Sequence, residues 1–370
     1  MVTWGRGWIS KNKKKVKARV FPFICHYTYP MLDQLTRRDF LKLVSTGSLA
    51  FALSDLKLDR AFALSTIKQG CMTISGIPLY DAPAFTANKI HNFGKDQVVD
   101  ITGIEEEGDE GNPFNRVWYK VNDEGFTYSG WVLPVETRYQ KPGFEVPKEG
   151  RVGEITVPFC DTKKEPYVYA ERGYRIYYGS THWVKRVVVT RDEKSIWYEI
   201  YDSELKRFFY VPSHDMRLVP YDELTLLSPE VPDEDKLIVV DLENQMVTAF
   251  EGEKLVFSQR CSSGAKGTET PKGEFRTYHK GPAVHMTNQG DALENIYNLP
   301  GVPWCAFFTG LGHAFHGTYW HNDYGRPRSH GCVNLPSEAA KFIYRWTRPN
   351  VPPDADYVHL PGEGTRVQVF

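Results

Sequence analysis

"RVWYKVNDEGFTYSGWVLP" (Arg116–Pro134) has an echo 79 residues further on, "SIWYEIYDSELKRFFYVP" (Ser195–Pro212). In each, a Trp-Tyr pair opens an apolar run, and an aromatic-Val pair follows thirteen residues later, Trp131-Val132 and Tyr210-Val211. Upstream, "IPLYD" (Ile77–Asp81) matches "VPFCD" (Val157–Asp161) at an offset of 80. A period of this length is that of a duplicated domain, too long for a solenoid unit. Within each copy the runs are short and rich in β-branched and aromatic residues, as in "VVDITGI" and "RVVVTR", and Gly, Pro, Asp and Asn punctuate them. That pattern spells strands and tight turns. It predicts two small β-barrels, over residues 72–140 and 151–220. Their "WY…GWV" ending resembles the bacterial Src-homology-3-like domains, which makes each copy a cell-wall-binding module or a spacer.

An acidic linker with two prolines, Tyr221–Lys236, leads to "LIVVDLENQMVTAFEGEKLVFSQRCSSG". Turn signals at Glu243-Asn244-Gln245 and Glu251-Gly252-Glu253 divide this into a three-strand meander. Further on, "PSEAAKFIYRW" puts Ala339, Ala340, Ile343 and Trp346 on one helical face, with Pro336 in the first turn where its missing N–H costs nothing. The fold class is therefore mostly β: two barrel repeats, then a β-rich domain over 236–370 with one short helix.

The 370 residues suffice for two or three domains, and the overall charge of −1 hides an asymmetry. Residues 1–63 carry 12 Lys+Arg against 4 Asp+Glu, so the rest has 33 basic and 42 acidic residues, a net of −9. An acidic body argues against nucleic acid as a partner. The basic start reads as an address. "TRRDFLK" from Thr36, the apolar stretch Leu43–Leu53 and Ala61-Phe62-Ala63 form a twin-arginine export signal over 31–63. The apolar stretch is too short for a stable anchor, so membrane contact is transient and the mature chain lies outside the cytoplasm. Residues 1–30 do not fit that signal; they read as a start placed too early, with Met31 the true one, or as disordered. Cleavage leaves five cysteines, Cys71, Cys160, Cys261, Cys305 and Cys332. The odd number points to a free thiol at Cys332, with disulfides open to the other four.

The chemistry concentrates in "HGTYWHNDYGRPRSHGCVN", His316–Asn334. A thiol becomes a nucleophile when a base or a cation makes it a thiolate, and that base needs an orienting partner. His330 lies two residues from Cys332 and would share its face in an extended strand, while His316 lies sixteen residues upstream. Gly331 removes a side chain where a substrate backbone would approach, and the N–H groups of Gly331 and Cys332 would form an oxyanion hole. A zinc site from His313, His316, His321, His330 and Cys332 is the rival, but no common zinc spacing occurs. His279, His285, His313 and His321 are read as surface or core residues.

The stretch resembles the signature of the L,D-transpeptidase (YkuD-type) catalytic domain: a histidine, a gap, then Ser/Thr-His-Gly-Cys, an apolar residue and Arg or Asn. Here these are His316, then Ser329-His330-Gly331-Cys332-Val333-Asn334; "SSGAKGTETPKGEF" (Ser262–Phe275) resembles the family's preceding loop. The resemblance covers residues 236–370. It implies Cys332 as nucleophile, His316 as general base oriented by the Gly317 carbonyl, and His330, Gly331 and Cys332 around the oxyanion. Ser329 and Asn334 would support the loop and contact substrate, and Tyr319, Trp320, Tyr324 and Trp304 would be cleft walls or core. The implied partner is the peptidoglycan stem peptide, no cofactor is needed, and the product is a cross-link with release of D-alanine. Hydrolysis of the same intermediate (an L,D-carboxypeptidase) and a non-catalytic wall-binding protein are the alternatives.

Overall fold

A computed structural model describes residues 67–106, 108, 113–191, 194–287 and 297–370. The export signal at 31–63 and the segment 1–30 lie outside the described residues. Among the described residues no helix is long and apolar enough to cross a membrane.

The first unit holds β1 (Gln69–Met72), β2 (Ile77–Tyr80), β3 (Lys89–Phe93), β4 (Val98–Glu105), β5 (Trp118–Val121), β6 (Gly125–Tyr128) and β7 (Val132–Val135). The second holds β8 (Arg151–Ile155), β9 (Phe159–Lys163), β10 (Arg172–Tyr177), β11 (Thr181–Val189), β12 (Ile196–Asp202), β13 (Arg207–Pro212) and β14 (Met216–Leu218). The lateral orders are β3-β2-β6-β5-β4-β1-β7 and β10-β9-β13-β12-β11-β8-β14, one pattern moved along by seven strands. The echoed sequences thus fold into one topology twice. The expected barrels are not closed, however: β3 and β7 end the first sheet, and β10 and β14 the second. The long strands explain the shape. Register shifts between Ile101 and Gly103, and between Val184 and Arg186, bend β4 and β11. Each bent strand pairs one neighbour along its first half and another along its second. A bulge of this kind raises local twist and curls the sheet around its core without joining its edges. The β5–β6 turn places Asn122 and Asp123 at φ of 50° and 59°, the left-handed region these side chains tolerate.

The third unit holds β15 (Lys236–Asp241), β16 (Met246–Glu251), β17 (Lys254–Arg260), β18 (Gly273–Arg276), β19 (His279–Thr287), β20 (Asn298–Phe307), β21 (Ala314–Gly317), β22 (Val333–Leu335), helix α1 (Ser337–Trp346), β23 (Val358–His359) and β24 (Arg366–Val369). Two five-stranded sheets result, β17-β16-β15-β24-β18 and β22-β21-β20-β19-β23. One apolar core lies between them, from Ile238, Val240 and Val247 on one sheet to Phe315, Val333 and Leu335 on the other. Val152, Trp183, Val219 and Leu224 join this core, so the second repeat and the linker are fused to it. The acidic linker is packed rather than loose: Glu223 pairs with Arg217 at 2.7 Å and with Lys341 of α1.

Helix α1 buries Ala339, Ala340, Ile343 and Trp346, and also Lys341 and Tyr344. Its last carbonyls have no partner within the helix and would be costly to bury bare. Two buried lysines answer them. Lys280 donates to the carbonyls of Tyr344 (2.5 Å), Thr347 (2.7 Å) and Pro349 (2.9 Å), and Lys236 donates to those of Leu227 (3.0 Å) and Trp346 (3.1 Å). The five described cysteines are all free. Cys71 and Cys160 sit in separate repeats and Cys261 in the main core, so the disulfides left open by the count are not formed.

Candidate active site

Strands β21 and β22 run parallel, with Phe315 opposite Val333, His316 opposite Asn334 and Gly317 opposite Leu335. Phe315, Val333 and Leu335 face the core. Alternation therefore turns His316 and Asn334 to the other face, and Cys332, one residue before β22, falls on that face too. Three residues spread over nineteen positions thus fall on one face because two short strands pair. Cys332 is part-exposed; its thiol donates weakly to the Gly312 carbonyl at 3.7 Å. Loss of water pushes the thiol up to about 11, against a smaller opposite effect of the Ala314 N–H.

His316 is buried, and its Nδ1 lies 3.0 Å from the Gly317 carbonyl. A carbonyl only accepts, so Nδ1 carries the proton and Nε2 keeps its lone pair. Burial pushes the ring down to about 4, which makes it neutral near pH 7. The Gly317 backbone that presents this carbonyl is tightly lodged: a Cβ there would stand 2.8 Å from Pro303 and 2.9 Å from Ser337.

Residues 329–332 form a turn held from outside by the Ser262–Phe275 stretch. Ser262 and Asn334 exchange backbone bonds at 3.0 and 2.9 Å, and Ala265 N–H donates to the Ser329 carbonyl at 2.8 Å. Thr270 Oγ1 donates to the Gly331 carbonyl and receives the Gly264 N–H, both at 2.9 Å. Ser329 Oγ donates to the Cys332 carbonyl at 2.5 Å and accepts the Gly331 N–H at 3.1 Å.

This turn alters two expectations. His330 does not share a strand face with Cys332; it is exposed and meets the Tyr297 ring at 5.2 Å. The Gly331 N–H is engaged by Ser329, and the space above the Gly331 Cα is not open. With φ at +104°, a Cβ there would stand 2.4 Å from the His313 ring. Gly331 is demanded by its backbone and by His313, and the backbone N–H that bears on the thiol is that of Ala314.

Among the aromatics, Trp304 is core, 1% exposed, against Tyr344. Tyr324 bonds Thr318 Oγ1 at 2.6 Å. Tyr319 is buried, donates to the Pro300 carbonyl at 2.8 Å and stacks on Tyr177 of the second unit at 5.4 Å. Tyr319 and Trp320 both border a pocket with Cys71, Lys95 and Tyr177, and the Trp320 ring lies 5.7 Å from His316. Among the described residues no group of three or more His, Cys, Asp or Glu could hold a metal ion.

His321, read from sequence as surface or core, contacts Asn334 through Nε2 at 3.0 Å and accepts the Asp323 N–H at Nδ1 at 3.3 Å. Thr270 and Asp323 also support the site. Thr270 lies inside the Ser262–Phe275 stretch; Asp323 has Arg326 and Arg328 close by in sequence, while its Tyr128 partner is 195 positions away.

Residues 235–369 match the family model of the L,D-transpeptidase catalytic domain. No curated protein matches the chain significantly. Among solved structures, the catalytic domain of an L,D-transpeptidase from E. faecium is 27% identical, over 37% of this chain and 98% of that one, with a TM-score of 0.30. An L,D-transpeptidase from Mycobacterium smegmatis is 18% identical over 52% and 89%, with a TM-score of 0.31. One from Stackebrandtia nassauensis is 22% identical over 41% and 60%, with a TM-score of 0.26. The segment that holds Cys332 and His316 is therefore the part of the chain that is similar to the L,D-transpeptidase catalytic domain, over residues 235–369.

Proposed function

We propose that this protein is an exported L,D-transpeptidase that cross-links peptidoglycan by acyl transfer through Cys332. The observation that carries the reading is the His316 tautomer. Its Nδ1–H on the Gly317 carbonyl leaves an Nε2 lone pair on the face that also bears the thiol. A neutral thiol beside a neutral imidazole is no preformed ion pair, so the proton moves as the sulfur attacks.

Cys332 Sγ bonds to the carbonyl carbon of the third residue of a stem tetrapeptide while His316 takes the thiol proton. The oxyanion is met by the Cys332 N–H. Collapse breaks the bond to D-alanine, which leaves with the proton from His316, and a thioester remains. The side-chain amine of a neighbouring stem's third residue then attacks the thioester, gives its proton to His316 and restores the thiol. Trp320 forms a wall of the cleft. Ser329 holds the turn, Asn334 contacts substrate, and His330 shapes the rim. The chemistry calls on no cofactor. Export through the twin-arginine signal would bring the enzyme to its substrate in the wall, where the two repeats bind or space it.

Incubation with purified disaccharide-tetrapeptide tests this, with products read by mass spectrometry. A cross-linked dimer with free D-alanine is expected. Tripeptide alone would make the enzyme an L,D-carboxypeptidase, and unchanged substrate would leave a wall-binding protein.

A further inference from the structure

Of the three described units the first is the most distant in sequence from Cys332, yet it reaches the site's supports. Tyr128, at the end of β6, is 1% exposed and donates to Asp323 Oδ1 at 2.8 Å. Asp323 is fully buried, and Arg326 and Arg328 hold its other oxygen, the latter at 2.5 Å. The Asp323 carbonyl accepts Ser262 Oγ–H at 3.0 Å, which ties the same residue to the loop beneath the Cys332 turn.

The Asp323 N–H points at His321 Nδ1. A ring that accepts at Nδ1 and is neutral carries its proton on Nε2. Nε2–H must then meet an acceptor, so the Asn334 amide turns its oxygen to His321. The other terminal atom of that amide is buried with no hydrogen-bond partner. By this tautomer it is the NH2, a bare donor on the face of β22 that carries Cys332. Bare buried donors are costly, so this one is held ready for an acceptor on the face it shares with Cys332 and His316.

We infer that Tyr128 of the first unit is a positioning residue of the acyl-transfer site, acting on Asn334 through Asp323 and His321. The relay rests on the acyl-transfer reading for its consequence, but the tautomer it imposes exists without substrate. On this view the first repeat completes the catalytic unit, whatever it does toward the wall. Loss of the phenol frees Asp323 to shift, weakens the N–H to His321 and lets the ring exchange tautomers. The Asn334 amide then samples both orientations and presents oxygen, not NH2, part of the time.

The test uses the full mature chain. Two-bond proton–nitrogen NMR reads the His321 tautomer, and the rate of covalent capture of a carbapenem at Cys332 reads the site. Tyr128→Phe is expected to mix the His321 tautomers and to slow capture about 2- to 30-fold, the range for a remote coupled residue. Combined with Asn334→Ala, it should slow capture no further, because the relay ends there. Tyr119→Phe is the control: its hydroxyl receives Asn322 Nδ2 at 3.5 Å across the same interface but off the relay, so capture should be unchanged. An unchanged His321 spectrum in Tyr128→Phe overturns the inference, and so does equal slowing by Tyr119→Phe. A wild-type protein that captures nothing overturns the acyl-transfer reading instead, while the His321 spectrum still decides the relay. If Tyr128→Phe fails to fold, Asp323→Asn carries the same two readouts.

Discussion

Asp202, at the end of β12, and His285, on β19, meet across the junction between the second repeat and the third unit, with carboxylate and Nδ1 at 2.8 Å and both side chains almost wholly covered. Tyr174 donates to the same carboxylate at 2.9 Å, the Leu205 and Glu204 amides at 2.9 and 3.1 Å, and Asn298 meets the other ring nitrogen at 2.5 Å. Glu204 adds a nearby negative charge, and His182, pushed down to about 3 by burial, stays neutral. Burial works against both charges, yet the pair's own hydrogen bonds prevail: His285 is raised above the ordinary 6.5 and Asp202 lowered below 3.8.

The sign of the pH effect follows. The histidine's share of stability is present below 6.5 and lost as pH rises through its raised value; the aspartate's is present above 3.8 and lost as pH falls through its lowered value. The junction is therefore firmest between the two and loosens on the alkaline side. Amide exchange along β12 and β19 should quicken as pH passes above 6.5, beyond the intrinsic rise, and His285→Gln should flatten that extra dependence. Protection that tracks intrinsic exchange alone across this span would show that the ion pair does not hold the junction.

The Cys332–His316 pair makes a second prediction. With the thiol near 11 and the imidazole near 4, alkylation by iodoacetamide should climb steadily with pH instead of levelling near neutrality. Cys332→Ala should take no label and form no product. His316→Ala should lose about 10²–10⁴-fold in acylation but still be alkylated at high pH, whereas His330→Ala should be milder. Should His330→Ala prove the slower of the two, the base is His330. Chelators should leave activity intact; a loss restored by zinc would revive the metal reading.

Gly331→Ala adds a Cβ at φ of +104° into the His313 ring. Left-handed backbone costs about 1–2 kcal/mol and overpacking about 1–3 kcal/mol, so a loss of about 2–5 kcal/mol is expected in denaturant unfolding. Gly331→Ala combined with His313→Ala should recover the packing part only. Full recovery in the double variant would mean that the backbone tolerates alanine there.

Lys280→Met removes the donor that serves three carbonyls at the end of α1. Leaving buried acceptors bare costs about 1–3 kcal/mol each when water cannot replace the donor, and partial relaxation brings the expected total to about 2–4 kcal/mol. Calorimetry of the purified variant measures it, and an unchanged Tm would show that the carbonyls find other partners.

The Arg37-Arg38 pair and the His-to-Cys signature are local patterns, and so is the duplicated strand pattern. The Trp-Tyr echo at Trp118 and Trp197, the meander from Leu237, the helical face of Ala339, Ala340, Ile343 and Trp346, and the His316…Ser329-His330-Gly331-Cys332 spacing were all legible, because strand, turn and helix preferences act over a few residues. What folding alone decided is what depends on neighbours distant in sequence. The barrels stay open because β3 and β7, and likewise β10 and β14, do not pair, although bulges at Gly103 and Arg186 curl both sheets. His316 and Cys332 share a face through the parallel pairing of β21 and β22, which sequence spacing does not dictate. His330 left the thiol, and Gly331 gave up its N–H, because Ser329 and Thr270 close the turn from outside. The buried Asp323 drew partners from 195 positions away. Local propensity writes the elements and the reactive residue types; the pKa of each reactive group and its hydrogen-bond partners are set by burial and by chain segments that only the tertiary fold brings near.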